Sequence, residues 1–238
     1  MIIKSKFIKF LECPNVLFAK FAGIHPLYAY YLSKIKKITS KDFKTVIDVG
    51  ANIGNYSKAA HYYYPHAKIY SFEPVQRGFD IINRFPYVQA FSFALWDKND
   101  KAKINIPNKK DLDDGSSFLK PGKESFVDRE NKIYGYDNIE VERKRFDNLN
   151  IDIKKPCLLK LDTEGSEMFV LKGFGNRLKE IDVIQLEANF ESNYEGQANV
   201  GDLINYLRVY GFEAFIQILF RNEKENYPNH CDLMFIRK

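Results

Sequence analysis

Apolar positions along the 238-residue chain fall into short runs, few of them with strict alternation, separated by stretches with helical spacing. The runs at 46–50, 67–72, 88–95, 157–161 and 183–186 are bounded by glycine, proline or acidic residues, which predicts buried strands. Segments 56–63, 75–84, 166–172 and 200–210 predict helices between them, and 212–219 with 232–236 predict a closing antiparallel hairpin. Strand, helix, strand in this order implies parallel pairing through right-handed crossovers, so the fold class is α/β. Residues 97–145 break the rhythm, being polar and punctuated by Gly115, Pro121, Gly122 and Gly135. They predict a hairpin near 101–106 and a strand near 139–145, together a substrate-facing insertion. Residues 1–44 predict two or three short helices, with Pro14 and Pro26 where helices break or begin. The expected organisation is a helical cap at 1–44 followed by one domain over 45–238.

Composition narrows the function classes. The formal charge of +5 is unevenly spread: nine lysines against Glu12 and Asp42 give the first 44 residues +7, leaving −2 for the remainder. No basic surface therefore surrounds the central strands, and nucleic acid is not an expected partner. The basic cap is compatible with peripheral contact with a membrane or an acidic glycan. Cys13, Cys157 and Cys231 fit neither a disulfide framework nor a zinc spacing. The amino-terminal lysines interrupt any secretory core, and Lys20, His25 and Pro26 interrupt the apolar stretch at 15–33, so a cytoplasmic location without a membrane span is expected.

Residues 46–54 read Val-Ile-Asp-Val-Gly-Ala-Asn-Ile-Gly, a buried strand running into a glycine-spaced turn and a helix. Glycines there permit close ligand approach, and the N–H groups opening the helix would face the ligand. A dinucleotide fingerprint starting at Gly50 needs glycine at 52 and 55, where this chain has Asn52 and Asn55. That spacing weakens an NAD(P)-dependent oxidoreductase, which stays the alternative together with a non-catalytic binding module. Glu73 ends the second strand 23 residues after Gly50, where a carboxylate can accept ribose hydroxyls.

With Asp48 before it and Asn52 between its glycines, the turn resembles motif I of class I S-adenosylmethionine-dependent methyltransferases. The segment Lys160-Leu161-Asp162-Thr163-Glu164-Gly165-Ser166-Glu167 is similar to the Lys-x-Asp-x-Glu-Gly-x-Glu mark of the FkbM family within that class. Phe72-Glu73-Pro74, Ala94-Leu95 and Gly115-Ser116-Ser117 match further family stretches, and the resemblance runs from about 44 to 237. It implies a Rossmann-like three-layer sandwich, a mostly parallel seven-stranded sheet whose last strand is antiparallel, and S-adenosyl-L-methionine as cofactor. It also implies O-methylation of a sugar, glycan or small natural product. The cofactor residues expected from turn and resemblance are Asp48, Gly50, Ala51, Asn52, Gly54, Glu73, Ala94 and Leu95.

A hydroxyl is a weak nucleophile and benefits from a base that takes its proton as the new bond forms. Asp162, at the carboxyl end of a central strand, is the first candidate and Glu164 the second. Lys160 could orient a carboxylate or an acidic substrate, and could equally be a sheet residue reaching solvent. Glu167 fits the first turn of a helix, where negative charge is stabilised by about 0.3–1 kcal/mol. Asp162, Glu164 and Glu187 could gather round a divalent ion, but they follow no recognised spacing and no metal is expected. His61 and His66 are expected at the surface, and His230 beside the last strand near the active edge.

Overall fold

The computed structural model describes residues 14–108, 115–123, 125–222 and 227–238; Cys13 and the rest of 1–13 lie outside them. Ten strands are described: β1 (Thr45–Val49), β2 (Lys68–Phe72), β3 (Val88–Phe91), β4 (Ala94–Leu95), β5 (Asp100–Pro107), β6 (Tyr136–Lys144), β7 (Cys157–Leu161), β8 (Val183–Asn189), β9 (Phe212–Asn222) and β10 (Tyr227–Arg237). Seven of them form one sheet in the order β3-β2-β1-β7-β8-β10-β9. Pairing is parallel from β3 through β8, and β10 runs antiparallel to both of its neighbours.

Apolar residues on both sides of each central strand produce this sheet because it is covered on both faces; the charged Asp48 and Lys160 are the exceptions in β1 and β7. Every residue of β1 and of β7 is buried. Ile47, Val49, Leu159 and Leu161 pack into one core with α6 (Glu167–Phe174) and α7 (Val200–Arg208). Val46, Leu158 and Val183 face the other core, built with α1 (Pro14–Phe21), α2 (Pro26–Thr39) and α3 (Asn55–Tyr63). The result is a three-layer sandwich. Two further helices, α4 (Gln76–Ile82) and α5 (Phe126–Tyr134), follow β2 and interrupt the insertion. Pro26 opens α2, where its missing N–H costs nothing, and Asn199 with Asp202 forms a reciprocal capping box on α7.

Two sequence expectations need correction. The apolar run at 88–95 is two strands, because the chain bends at Ser92 and Phe93 and its last two residues leave the main sheet. There β4 pairs with β6 in a second sheet of order β4-β6-β5. Hydrophobicity alone cannot register such a bend, since both halves are apolar. The hairpin expected near 101–106 is instead a single strand, β5, whose partner β6 lies across the insertion with Ile104 opposite Ile139. Among the described residues, no helix is long and apolar enough to cross a membrane.

The described part of the amino-terminal cap shares the sheet's core: Leu32 and Ile35 of α2 are fully buried with Val46 and Leu158. Leu32→Ala should therefore lower whole-chain stability by about 2–5 kcal/mol in urea unfolding followed by circular dichroism. An unchanged midpoint would show that the cap is not part of the cooperative unit.

Candidate active site

The register of three strands builds the site. Val49 lies opposite both Phe72 and Leu161, so Gly50, Glu73 and Asp162 leave the sheet together at its carboxyl edge. In open α/β sheets this edge is where ligands bind. Gly50 turns at φ +70°, and a Cβ there would stand 1.9 Å from the Asp162 carbonyl oxygen, a distance no side chain tolerates. Its N–H and that of Ala51 both donate to the Phe72 carbonyl at 3.1 Å. Asn52 continues the turn in the left-handed region at φ +48°. Its N–H donates to Glu73 Oε2 at 2.7 Å, while the Val75 N–H donates to Oε1 at 2.8 Å. Glu73 thus braces the turn that it faces.

A cavity of about 320 Å³ opens over this edge. Gly50, Ala51, Asn52 and Glu73 line it on one side, Ala94 and Leu95 on another, and Lys160, Asp162 and Glu164 on a third. Asp48 and Gly54 do not line it. Asp48 is fully buried behind the turn, where its Oδ2 accepts from Ser57 Oγ at 2.6 Å and its Oδ1 meets the Lys160 ammonium at 3.1 Å. Gly54 is required by packing, since a Cβ would stand 2.6 Å from Ile82 and Phe85. Both support the turn from outside the cavity.

The strand end from Asp162 to Glu167 is more tightly held than its sequence suggests. Asp162 leaves its side chain 39% exposed, the most open of the charged groups next to Lys160. Glu164 sits at φ +51°; its carbonyl accepts from Ser117 Oγ at 2.7 Å and its Oε2 from the Tyr194 hydroxyl at 3.3 Å. The insertion and the loop after β8 therefore close on it. Glu167 faces inward and accepts from both the Thr163 N–H and Oγ, at 2.9 and 3.0 Å, with burial pushing its carboxyl up. His230 lies opposite Asn189 on β10, outside the cavity wall, and His61 stacks on Tyr87.

Several wall residues carried no sequence signal. His25, Leu27 and Tyr28 reach the cavity from the start of α2, with Tyr28 edge-on to Tyr56. Trp96 and Phe118 add an aromatic side where the insertion meets the sheet. Ser166 occupies one of the three variable positions of the acidic motif, and only the fold shows that it lines the cavity. A second chamber of about 60 Å³ adjoins the first at Tyr28, Lys160 and Asp162 and is lined by Tyr31, Gln185, Glu187 and Asp232. The Tyr31 hydroxyl donates to Asp232. Burial pushes Asp232 up to about 7 against that bond, and pushes Glu187 up to about 10 with help from Asp162 and Glu164. Among the described residues, no group of three or more His, Cys, Asp or Glu is arranged to hold a metal ion.

The residues present fit S-adenosylmethionine. Asn52 Oδ1 and Ser166 Oγ are buried and have no protein partner, and both residues line the cavity, so they are open to polar atoms of a ligand. Glu73 offers acceptors for ribose hydroxyls, and the carboxylates of Asp162 and Glu164 complement a sulfonium. Fold and site define a class I α/β methyltransferase whose cofactor is S-adenosyl-L-methionine. A family model described as the Methyltransferase FkbM domain matches residues 48–214. The chain belongs to the FkbM methyltransferase family.

Methyltransferase sdnD of Sordaria araneosa is 28% identical over 156 residues, which span 54% of this chain and 59% of that protein. The match therefore covers less than two thirds of that relative's length. Among solved structures, precorrin-6y C5,15-methyltransferase from Geobacter metallireducens GS-15 superposes with a TM-score of 0.45 at 14% identity, over 89% of this chain and 87% of that one. Magnesium protoporphyrin IX methyltransferase from Synechocystis PCC 6803, with bound S-adenosylmethionine, gives 0.45 at 10% identity, over 88% and 76%.

Two outcomes follow from this geometry. Gly50→Ala should abolish calorimetric binding of S-adenosylhomocysteine, because the new methyl group forces the turn away from Asp162; retained affinity would contradict the close approach. The second concerns pH. The folded-state value of Asp232 lies above its ordinary 3.8, so its contribution to stability is complete below about pH 4 and is lost as pH rises through about 7. Asp232→Asn should flatten the decline of the urea midpoint over that window, by up to about 1.4 kcal/mol per pH unit for one proton. An unchanged decline would place the titration elsewhere.

Proposed function

We propose that this protein O-methylates a hydroxyl of a sugar, glycan or small natural product, with Asp162 as general base. The observation that carries this reading is the placement of Asp162: a partly exposed carboxylate on the cavity wall, one strand across from the glycine turn and in contact with it through its own backbone. When bound, the cofactor supplies an electrophilic methyl carbon on a sulfonium that leaves as a neutral thioether. The chain's own residues align and deprotonate the acceptor. Asp162 takes the hydroxyl proton as the oxygen attacks, and alignment in a closed site contributes much of the acceleration.

Glu164 is the secondary candidate, held by Tyr194 and Ser117 at the position where the insertion meets the edge. Methylation of nucleobase amino groups typically goes with an Asn/Asp-Pro-Pro-Tyr segment after this strand; here the segment is Asp162-Thr163-Glu164-Gly165. The aromatic wall of Tyr28, Trp96 and Phe118 supports an acceptor with an apolar or ring face.

Labelled methyl transfer to a panel of glycans and small hydroxy compounds tests the reaction class. On an acceptor so identified, Asp162→Ala should keep affinity for S-adenosylhomocysteine, which carries no sulfonium charge, and lower turnover by about 10²–10⁴-fold. Full turnover by both Asp162→Ala and Glu164→Ala would remove the proposed base.

A further inference from the structure

Lys160 carries a charged head on a central strand and is only 4% exposed. It lies opposite Asp48 in the pairing of β7 with β1. Its ammonium donates to the Gly50 carbonyl at 2.8 Å and stands 3.1 Å from Asp48 Oδ1 and 3.6 Å from Asp162 Oδ2. Each partner belongs to a different part of the site. Gly50 begins the cofactor turn, Asp48 is fastened through Ser57 to the helix leaving that turn, and Asp162 opens the acceptor edge. The ammonium hydrogen-bonds the turn and sits within ion-pair distance of carboxylates on the strand before it and on the neighbouring strand end, elements that must keep a fixed relation.

Two further observations fix what kind of role this is. A lysine acting as a base must release its proton. Burial favours that release, but the carboxylates of Asp48 and Asp162 outweigh burial and hold Lys160 above its ordinary value. The group therefore stays charged. A lone cation on the wall of a cavity that binds a sulfonium would repel its ligand, and the fully buried Asp48 cancels it.

We propose that Lys160 is a positioning residue: it ties the Gly50 carbonyl to Asp162, keeping the cofactor turn and the acceptor edge in one relative geometry, while Asp48 neutralises it so that no net positive charge faces the methyl donor. The inference rests on the assignment of S-adenosylmethionine as cofactor and is independent of the acceptor. It replaces a direct action of Lys160 on substrate.

Geometry and charge separate experimentally because S-adenosylmethionine is a cation at sulfur and S-adenosylhomocysteine is not. Calorimetric affinities for both ligands would be measured on wild type, Asp48→Asn and the double variant Lys160→Met with Asp48→Asn, alongside thermal melts. Asp48→Asn removes the buried counter-charge and leaves the lysine only the partly exposed Asp162, 3.6 Å away, so it should weaken S-adenosylmethionine at least tenfold more than S-adenosylhomocysteine. The double variant removes both buried charges with little change in volume; it should melt close to wild type yet weaken both ligands by a similar factor of at least ten. A folded double variant that binds both ligands within twofold of wild type overturns the positioning role. An equal effect of Asp48→Asn on the two ligands overturns the charge role, and that variant keeps the proposal testable should changes at Lys160 prevent folding. Wild type that binds neither ligand would instead undo the cofactor assignment.

Discussion

Everything at the site depends on the contact between Gly50 and the backbone of Asp162. Parallel pairing of β1 with β7 brings the two strand ends side by side, and the missing Cβ lets the turn lie directly on the next strand's carbonyl. Any side chain at position 50 would push the glycine turn and the Asp162 strand end apart. Methyl transfer needs the donor carbon and the attacking oxygen in line at near-contact distance, so a displacement of an ångström is costly. The close approach is thus a packing constraint with a catalytic consequence.

Buried polar groups then fix what the close approach permits. Glu73 holds Asn52 and Val75 from one side, and Lys160 with Asp48 holds Gly50 from beneath. Burying an ion pair is expensive, and removing one partner leaves the other charge uncompensated, commonly at a cost of about 3–5 kcal/mol. Such a pair is poor evidence of stability. It is better understood here as specificity of geometry, because the lysine's three neighbours sit on the turn, the strand before it and the adjoining strand end. The cap and insertion complete the enclosure through Tyr28, Trp96 and Phe118, and Ser117 fastens the insertion to Glu164.

The central sheet was legible because β1 and β7 are covered on both faces and therefore read as apolar runs without polar alternation, each broken only by the one charged residue of the Asp48–Lys160 pair and, in β1, by Thr45. The turn was legible for a similar reason: Gly50, Asn52 and Glu73 each meet a backbone requirement that few residue types satisfy. Asp48 and Gly54 carried the same signature yet lie outside the cavity, because a motif records the whole turn and does not distinguish ligand contacts from the packing behind them. The division of 88–95 into two strands, and the pairing of β5 with a strand some thirty residues further on, depend on long-range register that local hydrophobicity does not encode. Tyr28 and Ser166 were invisible for the complementary reason: they become wall residues only once helix and sheet are docked.

The central claim is that this edge binds an adenosylated methyl donor in the chain's folded state. Calorimetric titration of the wild-type protein with S-adenosylhomocysteine and, separately, with NAD tests it most directly. The account predicts saturable binding of S-adenosylhomocysteine and no measurable binding of NAD. Saturable binding of NAD with none of S-adenosylhomocysteine would contradict it.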